Sequence, residues 1–216
     1  MNIFYLDKNP ADCVKSHLDK HVVKMILEYA QLLSTAHRIL DGTESTVLSE
    51  SGRKKKVWKL PDHRDSVLYS CTHANHPSAI WARQSEQNYR WLFTLFCELL
   101  DEYTYRYRKQ HATSRLLTAL ARPPHNIDMD KRFTPPTPAM PDECKVVGDE
   151  LASYRKYYID KKADMAKWTN REPPSWFING VKEKDANVCV PLQELRERFR
   201  KVPVNVKPKR TRAVTM

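Results

Sequence analysis

His17, His21, Lys24, Glu28, Gln31 and Thr35 recur at steps of three or four residues. On a helix they share one narrow face. The set offers a carboxylate, an amine and two imidazoles, which are groups that move protons. Glu28 suits a general acid or base, and His21 and the nearby His37 suit proton carriers. Burial would favour the protonated carboxylate, and a cation such as Lys24 or Arg83 the ionised one. A structural reading competes. Lys24 and Glu28 are spaced for an i,i+4 ion pair on a solvated face, or Glu28 ties two helices together as a buried pair.

The element that must carry this stripe is a helix from His17 to about Leu40, closed by Asp41-Gly42 and capped by Asp12 or Ser16. Leu18, Val22, Met25, Tyr29, Leu32 and Ala36 form one apolar strip, and Val23, Ile26, Ala30, Leu33 and Leu40 an adjoining one. A helix apolar most of the way round is buried. Its charged stripe then needs partners or a solvated pocket. A second long helix is expected from Pro77 to about Arg108, with Asn75 or His76 at its cap and Ile80, Trp81, Leu92, Leu95, Phe96, Leu99, Leu100, Tyr103 and Tyr107 at helical spacing. The candidate pocket lies between the two helices. Lys24, Arg83 and Arg90 would contact phosphate or an oxyanion there, and His17, Gln31, His73, Asn75, His76, Trp81 and Asn88 would line it.

Two further segments carry charge beside rings. Arg53, Lys54, Lys55 and Lys56 precede Trp58, a run suited to phosphate contacts with one stacking ring; a solvated loop reads equally well. Arg155, Lys156 and Tyr157 sit inside Tyr154–Tyr158, where rings and cations alternate as nucleic-acid strands require. The plainer reading turns Tyr154 and Tyr158 to the core. Lys and Arg outnumber Asp and Glu by 37 to 26, a formal net charge of +11. That excess favours DNA, RNA or nucleotides as partners.

Other chemistries find less support. His17 and His21 lie one turn apart, and Cys71, His73 and His76 cluster, but no H-E-x-x-H is present and no metal is assigned. Nothing points to a particular cofactor. Gly occurs only four times, without a P-loop or a G-x-S-x-G elbow. The five cysteines are scattered, and no signal peptide or membrane span is visible. A soluble, cytoplasmic protein without membrane contact is expected.

The expected fold is mainly α, a bundle of two long and several short helices in a single domain over residues 1–178. Residues 2–6 form a short strand or extended arm, and 43–62 and 122–141 are loops, the latter Pro-rich. Shorter helices are expected over Asp65–Cys71, Ser114–Ala121, Glu150 to about Trp168, and Leu192–Arg200. Residues 179–216 read as a basic, partly disordered extension ending in Lys207–Arg212.

The segments MNIFYLD, DKHVVKMILE, LSTAHR, NHPSAIWAR, EYTYRY and YRKYY resemble a family of small, largely uncharacterised proteins of tailed bacteriophages, over about residues 1–178. A more distant likeness is to the phage pyrimidine-dimer DNA glycosylases. That likeness implies a small basic α-helical enzyme with a catalytic Glu on its first helix, a His upstream, and a tyrosine-rich element that holds damaged duplex. His17-Leu18 and Glu28 would match the first part, and Tyr154 to Tyr158 the second. Those glycosylases attack with the α-amino group of a Thr at position 2. Asn2 stands here instead, and the Glu spacing differs, so the lyase mechanism lacks an obvious nucleophile. Phage enzymes that hypermodify pyrimidines in DNA would fit the same features.

Three functions follow as expectations. The first is an enzyme acting on a DNA base or nucleotide, glycosylase-like or base-modifying, which must flip out any base held in duplex. The alternatives are a non-catalytic nucleic-acid binder, and a phage interaction protein with a host or virion partner.

Overall fold

Residues 2–6 are buried, with Ile3 and Leu6 fully inaccessible. They belong to no sheet, so the arm reading holds and the strand reading does not. A computed structural model describes residues 1–49, 51–184 and 190–202. Lys207–Arg212 lie outside the described residues.

The first helical stretch divides in two. α1 (Pro10–Ser16) is capped by the Asn9 side chain, not by Asp12 or Ser16, and α2 (Asp19–Asp41) starts after an extended His17-Leu18 step. A buried cation holds this break open. Arg106 Nη1 donates to the His17 carbonyl at 2.9 Å and to Asp19 Oδ1 at 3.0 Å, and its Nε to Glu102 Oε1 at 2.7 Å. His17 therefore lies off the α2 face it was expected to share. Gly42 ends α2 as expected, but in extended conformation.

Residues 43–62 are not a loop. β1 (Thr43–Leu48) and β2 (Lys54–Lys59) pair antiparallel, in register from Thr43 with Lys59 to Leu48 with Lys54. The short α3 (Arg64–Val67) follows, earlier and shorter than expected.

The second long helix is also broken. α4 (Pro77–Ala82) and α5 (Glu86–Tyr107) are separated by Ser85, whose hydroxyl accepts from the Asn88 backbone N–H. His76 caps α4 by accepting from the Ser78 N–H. A 3₁₀ turn (Ala112–Leu116) leads into the four-residue α6 (Leu117–Leu120). The Pro-rich connector has no helix or strand before its 3₁₀ end at Asp142–Cys144, but it is tied down: Trp81 Nε1 and Asn88 Nδ2 donate to Thr134, and Asn2 Nδ2 to the Ala139 carbonyl.

α7 (Glu150–Lys161) stops short of Trp168, which lies in β3 (Trp168–Thr169), paired parallel with β4 (Arg200–Lys201). α8 (Ser175–Lys184) and α9 (Leu192–Phe199) complete the fold. The boundary expected after residue 178 falls inside α8. Val181, Leu195 and Phe199 are buried in the same core as Ile178, so this part is not a mere extension.

The architecture is mainly α. α2 packs on α4 and α5, α1 on α5, and α7 on α8. Among the described residues no helix is long and apolar enough to cross a membrane. Val23, expected on an apolar strip, is 45% exposed on the outer face of α2.

Candidate functional site

The polar stripe of α2 opens into a cavity of about 290 Å³ lined by Met1, Asn2, Phe4, His21, Lys24, Met25, Glu28, Ala139, Tyr157 and Lys162. Its walls are α2, the N-terminal arm, the end of the Pro-rich connector, and α7. The expected wall, the Pro77 helix, is not among them. That volume is close to the ~300 Å³ lower bound of small-molecule sites.

Glu28 sits at a rim between two amines. Lys24 Nζ is 3.1 Å from its Oε1 and the Met1 nitrogen 3.9 Å from its Oε2. The Glu28 side chain is 12% exposed and that of Lys24 71%, so the carboxylate is sheltered and the lysine solvated. The i,i+4 pair is real, and it opens on a cavity.

One wall is aromatic. Phe4 stacks on His21, centroids 4.0 Å apart and planes 15° apart, and Tyr157 lies near-parallel to Phe4 at 6.3 Å and 12°. Lys162 Nζ lies 4.7 Å from the Tyr157 ring centroid. His21 Nδ1 is 2.6 Å from the Tyr158 hydroxyl, and its Nε2 has no partner among the described residues. Burial, with His17, Lys162 and Lys24 nearby, pushes the His21 pKa down to about 2. The imidazole is neutral, a hydrogen-bonding group and not a proton store.

The remaining residues distribute as follows. His17 is fully buried, and desolvation lowers its pKa to about 4. Its Nδ1–H donates to the Cys13 carbonyl at 2.8 Å. The Phe4 N–H donates to the Tyr29 oxygen, whose own proton is thereby directed to His17 Nε2 at 3.0 Å. That closed chain makes His17 structural.

His37 is equally committed elsewhere. Arg64 Nη1 donates to its Nδ1 at 2.9 Å, its Nε2–H donates to the Tyr89 hydroxyl at 2.8 Å, and Tyr89 donates to the Leu120 carbonyl. Burial and Arg64 bring its pKa to about 4. It lines a separate cavity of about 350 Å³ with Asp62, His63, Arg64, Arg122 and His125. It is not brought to Glu28.

His73 and Asn75 are exposed, and His76 is half-buried. The His76 pKa is lowered first by burial and then by the chain's α-amino group, with Glu28 opposing, so the start of α4 lies near the cavity without lining it. Gln31 is half-buried one turn beyond Glu28 and does not line it. Thr35 bonds the Thr72 backbone. Arg83 is half-buried beside Cys71, its Nη1 without a partner among the described residues. Arg90 pairs with Glu86 on the surface. Trp81 and Asn88 are buried ties to the connector.

On α7 only Tyr157 reaches the site. Tyr154 and Tyr158 are fully buried, Lys156 pairs with Asp160, and Arg155 donates to the Leu6 carbonyl under the Trp176 ring. Arg53, Lys54, Lys55 and Lys56 are exposed on the β1–β2 hairpin, and Trp58 is half-buried at its base.

No protein-family model, curated protein or solved structure matches the chain.

Phe4 and Ala139 were missed from sequence, and Lys162, which follows the Tyr154–Tyr158 segment, was not expected in the pocket. Phe4 stands in a plain apolar run, and Ala139 contributes to the lining from within a connector that has no periodicity to read. Among the described residues no group of three or more His, Cys, Asp or Glu is arranged to hold a metal ion. Phe4 and His21 are buried against each other, so Tyr157 is the one ring of this wall left partly open to a guest. The arrangement can also pass a proton between an amine and a carboxylate.

Proposed function

We propose that the chain is an enzyme acting on a base of DNA, glycosylase-like or base-modifying, with Glu28 as its acid–base group. One observation carries the reading: a sheltered carboxylate between two amines, on a cavity walled by stacked rings.

The chemistry is that of an amine nucleophile beside a base. Attack on C1′ of the nucleoside forms an N–C1′ bond and breaks the C1′–base bond. The electron pair of that bond leaves with the base. Glu28 takes the amine's proton and delivers it to the departing base, so the carboxylate ends as it began. Asn2 removes one expected nucleophile, but Lys24 Nζ and the Met1 nitrogen both lie beside Glu28. His21, neutral, orients the base edge, and Tyr157 stacks on it once it is flipped out of the duplex.

The test is base release from duplex DNA rich in damaged or modified pyrimidines, with borohydride present to reduce any imine. The reading expects a covalent protein–DNA adduct on Lys24 or Met1. It also expects a loss of at least about 100-fold in turnover for Glu28→Gln at an unchanged melting temperature. Full turnover in Glu28→Gln, or loss of the fold, removes Glu28 from the chemistry.

A further inference from the structure

The β1–β2 hairpin buries little of itself. Every residue of β1 is exposed, and on β2 only Val57 and Trp58 are half-buried. A two-stranded ribbon of this kind is marginal by itself in water. It is held at its base: Arg38 Nη1 donates to the Trp58 carbonyl at 2.8 Å and to Asp65 Oδ1 at 2.7 Å, and Asp65 accepts the Leu60 N–H at 2.9 Å. At its tip the Ser49 N–H donates to the Arg53 carbonyl and the Gly52 N–H to the Ser49 carbonyl, with Gly52 at φ +74. The fold thus fixes both ends of a ribbon about 20 Å long, at ~3.4 Å per residue, that covers little of the core.

Its charge is mainly positive, five cations against Glu44 and Glu50 in residues 43–59, and the cations are spread over both faces. The register places Lys54 and Lys56 with Leu48, Thr46 and Glu44 on one face, and Lys55 and Lys59 with Val47 and Ser45 on the other. Arg53 adds a cation at the tip. Glu44 alone opposes them among the described ribbon residues, and it is taken by Lys56 at 2.7 Å. Lysines on exposed strands also blunt edges against pairing, but here the cations continue on both faces and at the tip. The run Arg53–Lys56 fits a polyanion.

We infer that this ribbon is an arm that lies in the major groove of duplex DNA and anchors the substrate. The inference rests on the reading that the base acted upon is carried in DNA, and it adds the form of that DNA. A two-stranded ribbon fits the ~12 Å major groove of B-form duplex and not the ~6 Å minor groove. A-form RNA hides its major groove in a deep, narrow cleft that side chains cannot read. Cations on both ribbon faces then reach phosphates on both strands, and Leu48, 70% exposed beside Lys54 near the tip, meets the base edges from one face.

The experiment is equilibrium binding of the full chain to a labelled 25-base-pair DNA duplex, to the same sequence as duplex RNA, and to one single strand, across a salt series. All proteins carry Glu28→Gln, so binding is read without turnover and stands apart from the catalytic reading. Replacing Lys54, Lys55 and Lys56 together by Gln should weaken duplex-DNA binding about tenfold or more. It should also flatten the slope of log K against log salt by about two to three, since each lost phosphate contact removes about 0.9. The matching triple Arg variant should keep both. The melting temperature of either should stay near that of the parent, because the three side chains are exposed. An unchanged salt slope in the Gln variant overturns the inference. So does duplex RNA binding as tightly as duplex DNA, or self-association through the ribbon edge with DNA affinity indifferent to the lysines.

Discussion

Phe4 lies flat on the imidazole of His21, 4.0 Å between centroids. The arm that begins the chain therefore closes the cavity that α2 opens. Two residues seventeen positions apart make one wall, and the Glu28 carboxylate two turns further along α2 lines the same cavity.

Removing that ring should cost both fold and function. Phe4 is 5% exposed, and it also meets Tyr154 and Tyr158 edge-on. Phe4→Ala should destabilise the protein by about 3–5 kcal/mol, measured by urea unfolding. Phe4→Leu should retain most of the stability yet lose the stack. If Phe4→Leu leaves affinity for a free pyrimidine nucleoside unaltered, the aromatic wall is not a binding surface.

The three buried imidazoles set a pH dependence. Their folded pKa values, about 4 for His17 and His37 and about 2 for His21, lie below the ordinary 6.5. Above pH 6.5 each is neutral in both states and the native preference for the neutral ring is fully satisfied. Below it the unfolded chain takes up protons that the native fold refuses. Stability should fall from pH 6.5 toward pH 4, and His21 extends the loss further. Denaturant midpoints at half-unit steps would check this, and a flat profile from 6.5 to 4 would refute it. His21→Asn should then leave any rate limb near pH 6.5 in place, since His21 does not titrate there.

How much of this was legible in the chain divides by period. α2 and α5 repeat apolar side chains every three or four residues because each buries one broad face, and both could be read. The His17-Leu18 break could not, because Arg106 decides it through tertiary contacts. The Ser85 break joins a local cap, which Ser85 and Asn88 spell in the sequence, to a long-range bond from the Glu86 N–H to the Asp128 carbonyl. The ribbon was hidden for the opposite reason: with neither face on the core, Lys54–Lys59 shows no alternation. At the site, His21, Lys24 and Glu28 share a helix face and were visible together. Asn2, Ala139, Tyr157 and Lys162 arrive from nineteen or more residues away, and no spacing rule links them.

Arg64 offers a test of the second histidine cluster. Its Nη1 donates to Asp41 Oδ2 at 2.6 Å, and the Asp41 side chain is only 3% exposed. Asp41 also accepts the His125 and Asn126 N–H groups, tying the connector to α2. Arg64→Met leaves that carboxylate buried without its cation and should cost about 3–5 kcal/mol. Adding Asp41→Asn should recover part of the loss. An Arg64→Met variant as stable as the parent would mean that the pair contributes nothing to the fold.

Gly42 joins α2 to the ribbon, and its lack of a side chain sets how closely they meet. A Cβ there would fall 2.4 Å from the Arg38 carbonyl oxygen and 3.2 Å from that of Lys59. Both are backbone atoms and cannot swing aside as a side-chain end would. The glycine's φ of −93 is open to any residue, so the cost of a substitution is contact and not torsion. Gly42→Ala should therefore destabilise by about 1–3 kcal/mol, the usual range for overpacking. The strain falls on the turn that carries Arg38, whose guanidinium holds the Trp58 carbonyl and Asp65. Trp58 should become more mobile, read as faster amide exchange along β2 while the amides of α5 stay protected. Uniform loosening of both would place the damage in the core and not at the ribbon's root.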